Sequence, residues 1–398
     1  MLRLSATLVF LFAGLVAPCA VAAPPRAEDV LQRIAGHAAA AHSDALLIQH
    51  GRTTLLSHST HGAFEPVPLM SATKSVVALA IGLLITEGRL PSLDEPVSTL
   101  YPEWRQGRKR DITVRMLMDH TSGLQNVANA GVELEGAPDL VALALAAELA
   151  SDPGTTFSYN NKATNLLAGI VERLAGQPID TYVAERIFAP LGITAHAWLK
   201  DSAGTPMGMA GLSLSAPDLA KLGRLVLDGG RAPDGTRLLD PLFVQALTAQ
   251  SARSPDVGLL WWRIPAWERF VLDDQAAAVL DSHGVAVDVR EGVLAAQGQH
   301  FDSRQAVTAF LAERLGTGWQ ERYGAEITGR GIRLVDLFEQ TRGPIKAYAA
   351  NGFLGQFLVI VPEKDLVAVR QIHRRDDHVA QDDYAGFTAD LIALADAL

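Results

Sequence analysis

The chain reads as an α+β protein: an antiparallel sheet built from N- and C-terminal strands, flanked by helices, with an all-helical domain inserted between the two sets. Strand-like runs occur early, at 45–49 and 53–58, and late, at 258–264, 356–361 and 366–372. Between about 71 and 192 the apolar residues recur mostly at helical spacing, broken by Pro and Gly. Strands from both chain ends, several joined by short turns, complete one antiparallel sheet. The division that follows is a sheet domain at 23–80 and 200–398, a helical domain at 81–199, and a leader at 1–22.

The leader has one positive residue, Arg3, an apolar run too short to span a bilayer comfortably, and small residues at Ala20 and Ala22. It reads as a secretory signal cut after Ala22, so the protein is expected to be exported, periplasmic or secreted. An uncleaved anchor is the alternative, and Pro18 disfavours lipidation of Cys19. Cleavage removes Arg3 and no acid, taking the net charge from −10 to −10 − 1 = −11, and removes the single cysteine. The exported chain then has no disulfide and no stable membrane span.

A Pro-bearing lead-in at 23–28 precedes an amphipathic helix at 30–40. The first two strands form a hairpin around Gly51. A polar loop at 61–68 delivers the chain to a helix over 71–87, whose Val76, Val77, Leu79, Ala80, Leu83 and Leu84 keep helical spacing. Further helices are expected at 114–124, 139–150, 162–175 and 213–228, the last capped near Ser215 ahead of Pro217. The last two strands are joined by a turn at 362–365, and a helix at 384–398 closes the chain.

Hydrophobic residues make up 48% of the 398 and charged ones 20%, enough for a large core. A net charge of −10 and a pI near 5.6 offer no basic face for nucleic acid. No 20-to-50-residue repeat is visible. Histidines are scattered without a His-Glu-x-x-His pattern, so neither a metal nor a cofactor is expected. His37 and His42, five apart, read as solvated surface.

Chemistry concentrates at three places. Ser71 lies in the first turn of its predicted helix, and Lys74, three residues on, shares its face, so the amine can reach the hydroxyl. A helix N-terminus favours an oxyanion and the neutral form of a nearby amine. The plain alternative is a capping serine with a solvated lysine, against which stand Leu69, Met70 and the apolar run behind them. In Tyr159-Asn160-Asn161 a phenol can shuttle a proton and Asn161 can hold a carbonyl; otherwise the segment is turn chemistry. Tyr348 to Gln356 is an edge strand approached closely by a ligand through its glycines, or a bulge or turn before a strand.

Together these landmarks resemble the serine β-lactamase and penicillin-binding-protein superfamily, in its class C-like branch with esterases, D-amino-acid peptidases and 6-aminohexanoate-dimer hydrolases. The resemblance runs from about 45 to 372 through Ser71-Ala72-Thr73-Lys74, the Ile112-Thr113-Val114-Arg115 to His120-Thr121-Ser122-Gly123-Leu124 segment, Pro153-Gly154 to Tyr159-Asn160-Asn161, and Gly352-Phe353-Leu354-Gly355-Gln356. It implies a β-lactamase/transpeptidase-like fold and an acyl-enzyme. Ser71 would be the nucleophile, Lys74 and Tyr159 would share proton transfer, and Asn161 would orient substrate. Asn351, Gly352 and Phe353 would form the third motif, with the N–H groups of Ser71 and Phe353 as oxyanion hole. His120 is taken as structural.

One departure matters: where β-lactamases and peptidases carry Lys or His then Thr or Ser, this chain has Ala350 and Asn351. Losing that cation removes about 1.5–3 kcal/mol of binding to a substrate carboxylate, unless Lys346 or Arg370 substitutes. The expected activity is therefore an esterase or amidase on a small-molecule ester, amide or peptide. A β-lactamase or D-alanyl-D-alanine carboxypeptidase is the alternative, and a non-catalytic ligand-binding protein the alternative of another class. Residues 265–344 form an insertion with strand pieces at 285–289 and 293–296 and helices at 306–315 and 332–340. It is expected to be a lid, with Trp267, Phe270 or Trp319 lining an apolar pocket, or else an ornament or oligomer contact.

Overall fold

A computed structural model describes residues 25–126, 137–374 and 384–398, so the leader at 1–22 lies outside the described residues. In chain order the strands are β1 (Ala45–His50), β2 (Thr53–Ser59), β3 (Val67–Pro68), β4 (His196–Trp198), β5 (Leu212–Leu214), β6 (Trp262–Pro265), β7 (Glu268–Leu272), β8 (His300–Phe301), β9 (Phe338–Arg342), β10 (Ile345–Gly352), β11 (Gln356–Val361) and β12 (Leu366–Gln371). The main sheet runs β2-β1-β12-β11-β10-β6, antiparallel at every step.

Alternation along the strands buries both faces. Leu47, Leu358, Ile360, Val367 and Val369 face a front layer that includes the Thr73–Thr86, Asn161–Ala175 and Ala216–Leu227 helices. Leu46, Ile48, Val359, Leu366 and Ala368 face a back layer made by the terminal helices Ala27–Ala40 and Phe387–Ala397. His37, expected to be solvated, shares a 2.8 Å hydrogen bond with Asp390, because the two terminal helices pack side by side. The Thr73–Thr86 helix is buried from Thr73 through Leu84, which is why its apolar residues run all the way round it. Its cluster continues from the sheet into the inserted helices as far as Ile170 and Phe188. Among the described residues no helix is long and apolar enough to cross a membrane.

Several expected boundaries move, and left-handed residues explain most of the shifts. The helix expected at 114–124 stops at Met118, because His120 has φ 60°. The strand expected from 258 starts only at Trp262, because Leu260 has φ 59°. The helix expected from Ser71 begins at Thr73, after a 3₁₀ turn at Met70–Ala72 entered through Met70 at φ 51°. The segment 348–356 is neither an edge strand nor a mere turn. It ends β10, an eight-residue strand between β11 and β6, which makes four late strands in the sheet instead of three.

The insertion has its own core and its own sheet, ordered β8-β7-β9. The strand pieces expected at 285–289 and 293–296 are instead covered largely by one helix, Val287–Leu294. Its β-branched valines suggest a strand, but Val289 and Val293 stand one helical turn apart and are both buried, while Val287 is 69% exposed. The helix expected at 332–340 is a short 3₁₀ turn followed by β9, in which buried Phe338 and half-buried Gln340 alternate with exposed Glu339 and Thr341. The helix expected at 306–315 is present as Arg304–Leu315.

Candidate active site

Ser71 sits at the head of the central helix in a turn fixed from two sides. The Leu69 N–H donates to the Leu212 carbonyl at 2.8 Å, and the Leu212 N–H donates to Thr73 Oγ1 at 3.3 Å. On the other side β10 comes so close that a Cβ on Gly352 would lie 2.1 Å from the Leu69 carbonyl oxygen, a position only glycine tolerates. The third motif is thus pressed directly against the turn that carries Ser71.

Lys74 Nζ lies 3.0 Å from Ser71 Oγ and donates to the Met209 carbonyl at 2.7 Å. That carbonyl belongs to a residue whose N–H donates to Asn165 Oδ1 at 3.0 Å, so the inserted Asn161–Ala175 helix fixes the amine's second partner. Burial lowers the Lys74 ammonium from its ordinary 10.5 to about 7. A substantial neutral fraction therefore exists near neutral pH.

Tyr159 arrives on the loop ahead of that helix. Its ring centroid is 5.0 Å from Lys74 Nζ, 4.6 Å from the His120 ring and 6.2 Å from the Trp262 ring, with which it is nearly parallel. Burial raises the phenol's pKa, and the Ser71 side chain, within hydrogen-bonding reach, pulls it the other way. The phenol therefore rests protonated rather than as a phenolate.

Ser71, Lys74, Ser75, His120, Tyr159, Val257, Leu260, Trp261, Trp262 and Asn351 line a small cavity, with about 10 Å³ for the centre of a water molecule. Of the expected site residues, Ser71, Lys74, Tyr159 and Asn351 thus share one wall. Asn161 opens its helix, whose N-cap is the neighbouring Asn160, and is not among the cavity-lining residues. Phe353 is 48% exposed, and its side chain is likewise absent from the wall. The buried Oδ1 atoms of Asn161 and Asn351 have no hydrogen-bond partner among the described residues. Each is an acceptor that stabilises nothing until a donor arrives.

Four contributors lie beyond the sequence reading: His120, Trp262, the left-handed Leu260 and the Met209 carbonyl. His120, expected to be structural only, forms part of the wall. Its Nδ1 accepts from the Asn160 N–H at 3.1 Å, which leaves the remaining proton of the neutral ring on Nε2. Burial first, and Lys74 second, lower its pKa to about 3. Leu260 is held by its N–H to the Met118 carbonyl at 2.9 Å and by Ser75 Oγ donating to its own carbonyl at 2.7 Å. A backbone carbonyl or a non-glycine left-handed residue leaves no signal in a single chain; only the His-Thr-Ser-Gly turn offered a hint of His120.

Neither candidate for a substitute cation faces this cavity. Lys346 pairs with Glu363 at 2.6 Å. Arg370 is buried, donating to Ser43 Oγ and to the carbonyls of Ala41 and Gly355, so it braces the third-motif turn. The expected lid residues are elsewhere too: Phe270 is 1% exposed in the insertion's own core, Trp319 packs on that core, and Trp267 is 52% exposed. The insertion borders the site only through the strands that carry it, since β6 supplies Trp262 and β10 supplies Asn351.

The profile of the Beta-lactamase family matches residues 31–391. A 6-aminohexanoate-dimer hydrolase from Paenarthrobacter ureafaciens is 30% identical over 235 residues, 53% of this chain and 58% of that protein. The esterase EstB from Burkholderia gladioli is 33% identical over 144 residues, 31% of this chain and 36% of that protein. The matched stretches thus span little more than half of the hydrolase and about a third of the esterase. A penicillin-binding protein homolog from Caulobacter crescentus superposes with a TM-score of 0.59 over 94% of this chain and 98% of its own, at 17% identity, and shares the fold.

Proposed function

Because the chain belongs to the β-lactamase family, we propose that it is a serine hydrolase that cleaves an uncharged ester or amide through an acyl-enzyme. The observation that carries this is the buried Lys74 amine 3.0 Å from Ser71 Oγ with its pKa brought down to about 7. In the proposed reaction neutral Lys74, together with Tyr159, accepts the Ser71 proton as Oγ attacks the substrate carbonyl. The tetrahedral oxyanion is held by the N–H groups of Ser71 and Phe353. Tyr159 passes the proton to the departing alcohol or amine as the carbon–heteroatom bond breaks. In the second half a water loses its proton to the same pair, attacks the acyl carbon, and the proton returns to Ser71 Oγ.

An uncharged substrate follows from Ala350 and Asn351, since among the described residues Lys74 is the one cation on the cavity wall and is occupied with chemistry. The open Oδ1 acceptor of Asn351, on the cavity wall, suits a substrate N–H donor. Export rests on the leader's composition, and N-terminal sequencing of the mature protein tests it. For the reaction itself, Ser71→Ala should lower hydrolysis of nitrophenyl butyrate by on the order of 10⁴-fold or more; full activity in that variant contradicts the assignment. Nitrocefin should be a poor substrate, and efficient turnover of it would restore the β-lactamase reading.

A further inference from the structure

We propose that Asp44, His61 and His373 form a binding site for one zinc-like divalent cation at the end of the main sheet. The topology brings them together: Asp44 precedes β1, His61 follows β2, and His373 follows β12, the three adjacent strands β2-β1-β12. The Asp44 N–H donates to the Gln371 carbonyl at 2.9 Å, and the Thr60 N–H donates to the Asp44 carbonyl at 3.0 Å. The three donor groups offer one ligand atom each, all within 4.8 Å of one another.

Two distances favour a shared ion over a simple ion pair. His373 Nδ1 is buried, has no hydrogen-bond partner among the described residues, and lies 3.5 Å from Asp44 Oδ2. That is long for a charge-assisted hydrogen bond, but donor atoms bound to a tetrahedral zinc sit about 3.3–3.6 Å apart. The His61 and His373 rings are 6.0 Å apart at 79°, near the spacing of about 5–6 Å for two imidazoles on one such ion. His61, exposed on its loop, has to swing inward for its nitrogen to reach bonding distance. The Asp44 carboxylate is buried and already oriented, accepting from the His373 N–H at 2.7 Å and from Thr60 Oγ1 at 3.2 Å, as ligating carboxylates are.

Two imidazole nitrogens with one carboxylate oxygen suit zinc and its neighbours, not calcium or magnesium, which take oxygen ligands. The ion would tie the 61–68 loop, which leads to Ser71, onto β1 and β12. It would do so in a chain whose single cysteine excludes an internal disulfide. The neighbouring Ile372 exchanges two hydrogen bonds with the Gln356 side chain at the foot of the third motif, so the staple would reach the candidate site's frame. None of this depends on the hydrolase reading.

The test is calorimetric titration of zinc chloride into the full, untagged, chelator-treated chain at pH 7.5, with thermal melts alongside. One zinc per chain and a raised Tm are expected. His61→Ala and His373→Ala should each weaken binding at least tenfold and remove the Tm rise, while His300→Ala, exposed on β8, should change neither. Absence of saturable binding at micromolar zinc, or His61→Ala affinity within twofold of wild type, overturns the site. His61 is an exposed loop residue, so its variant carries the test even if His373→Ala folds poorly.

Discussion

Around Ser71 the chain buries polar side chains, whereas in residues 265–344 it buries apolar ones alone. Thr73, Lys74, Ser75, Asp119, His120, Thr121, Asn160 and Asn165 are all buried near the candidate centre, and no polar or charged side chain of the insertion is. The insertion keeps its charges outside, in exposed pairs such as Arg290–Asp281 and Arg333–Asp336, which contribute little to stability. Apolar burial tolerates substitution if volume is kept, but each buried polar group requires its own partner at its own distance. The contrast separates a region shaped by geometry from one shaped by volume, and mutations should divide the same way.

After Ser71→Ala, the largest effect in this comparison should come from Lys74→Met, with ester hydrolysis down by on the order of 10³-fold. In the wild type only the neutral amine accepts a proton, so kcat/KM should climb as pH rises through about 7 and level off above it. A flat profile between pH 5 and 9 would remove Lys74 from the chemistry. Tyr159→Phe should cost about 10²-fold in steady-state turnover while leaving the fold intact by circular dichroism.

His120 should be read out in stability. Its folded pKa of about 3 lies below the ordinary 6.5, so the unfolded chain takes up a proton that the native ring refuses. This group's contribution is therefore full above pH 6.5 and is lost as pH falls towards 3. His120→Asn keeps a residue tolerant of φ 60° and removes the titration. The difference in unfolding free energy between pH 7 and pH 5 should shrink by about 2 kcal/mol in urea denaturation. At the other extreme, Trp267→Ala in the insertion should leave kcat/KM within about twofold across nitrophenyl esters of different acyl length. A marked change in chain-length preference would bring the insertion back as a lid.

Much of the frame was legible in the chain. β1, β2, β11 and β12 lie within a residue of their expected ends, because two-sided burial demands long apolar runs there. Ser215 accepts from the Asp218 N–H at 3.3 Å, capping its helix as its position before Pro217 suggested. Ser71 and Lys74 meet because three residues of a helical turn bring them together. β10 was partly hidden, since small Ala347, Ala349 and Ala350 fill its buried positions where a branched run would have been conspicuous. Met70, His120 and Leu260 end or delay elements by left-handed backbone without glycine, a choice imposed by tertiary contacts. The Asp44, His61 and His373 grouping is invisible to local pattern, because strand order alone joins residues more than 300 positions apart.

The most direct test of the central claim is intact mass spectrometry after treatment with a fluorophosphonate, followed by peptide mapping. An activated hydroxyl at Ser71 predicts one adduct per chain, on the peptide containing Ser71, with none on the Ser71→Ala variant. An unmodified wild-type chain, or a label on any other serine, would mean that Lys74 and Tyr159 do not activate Ser71.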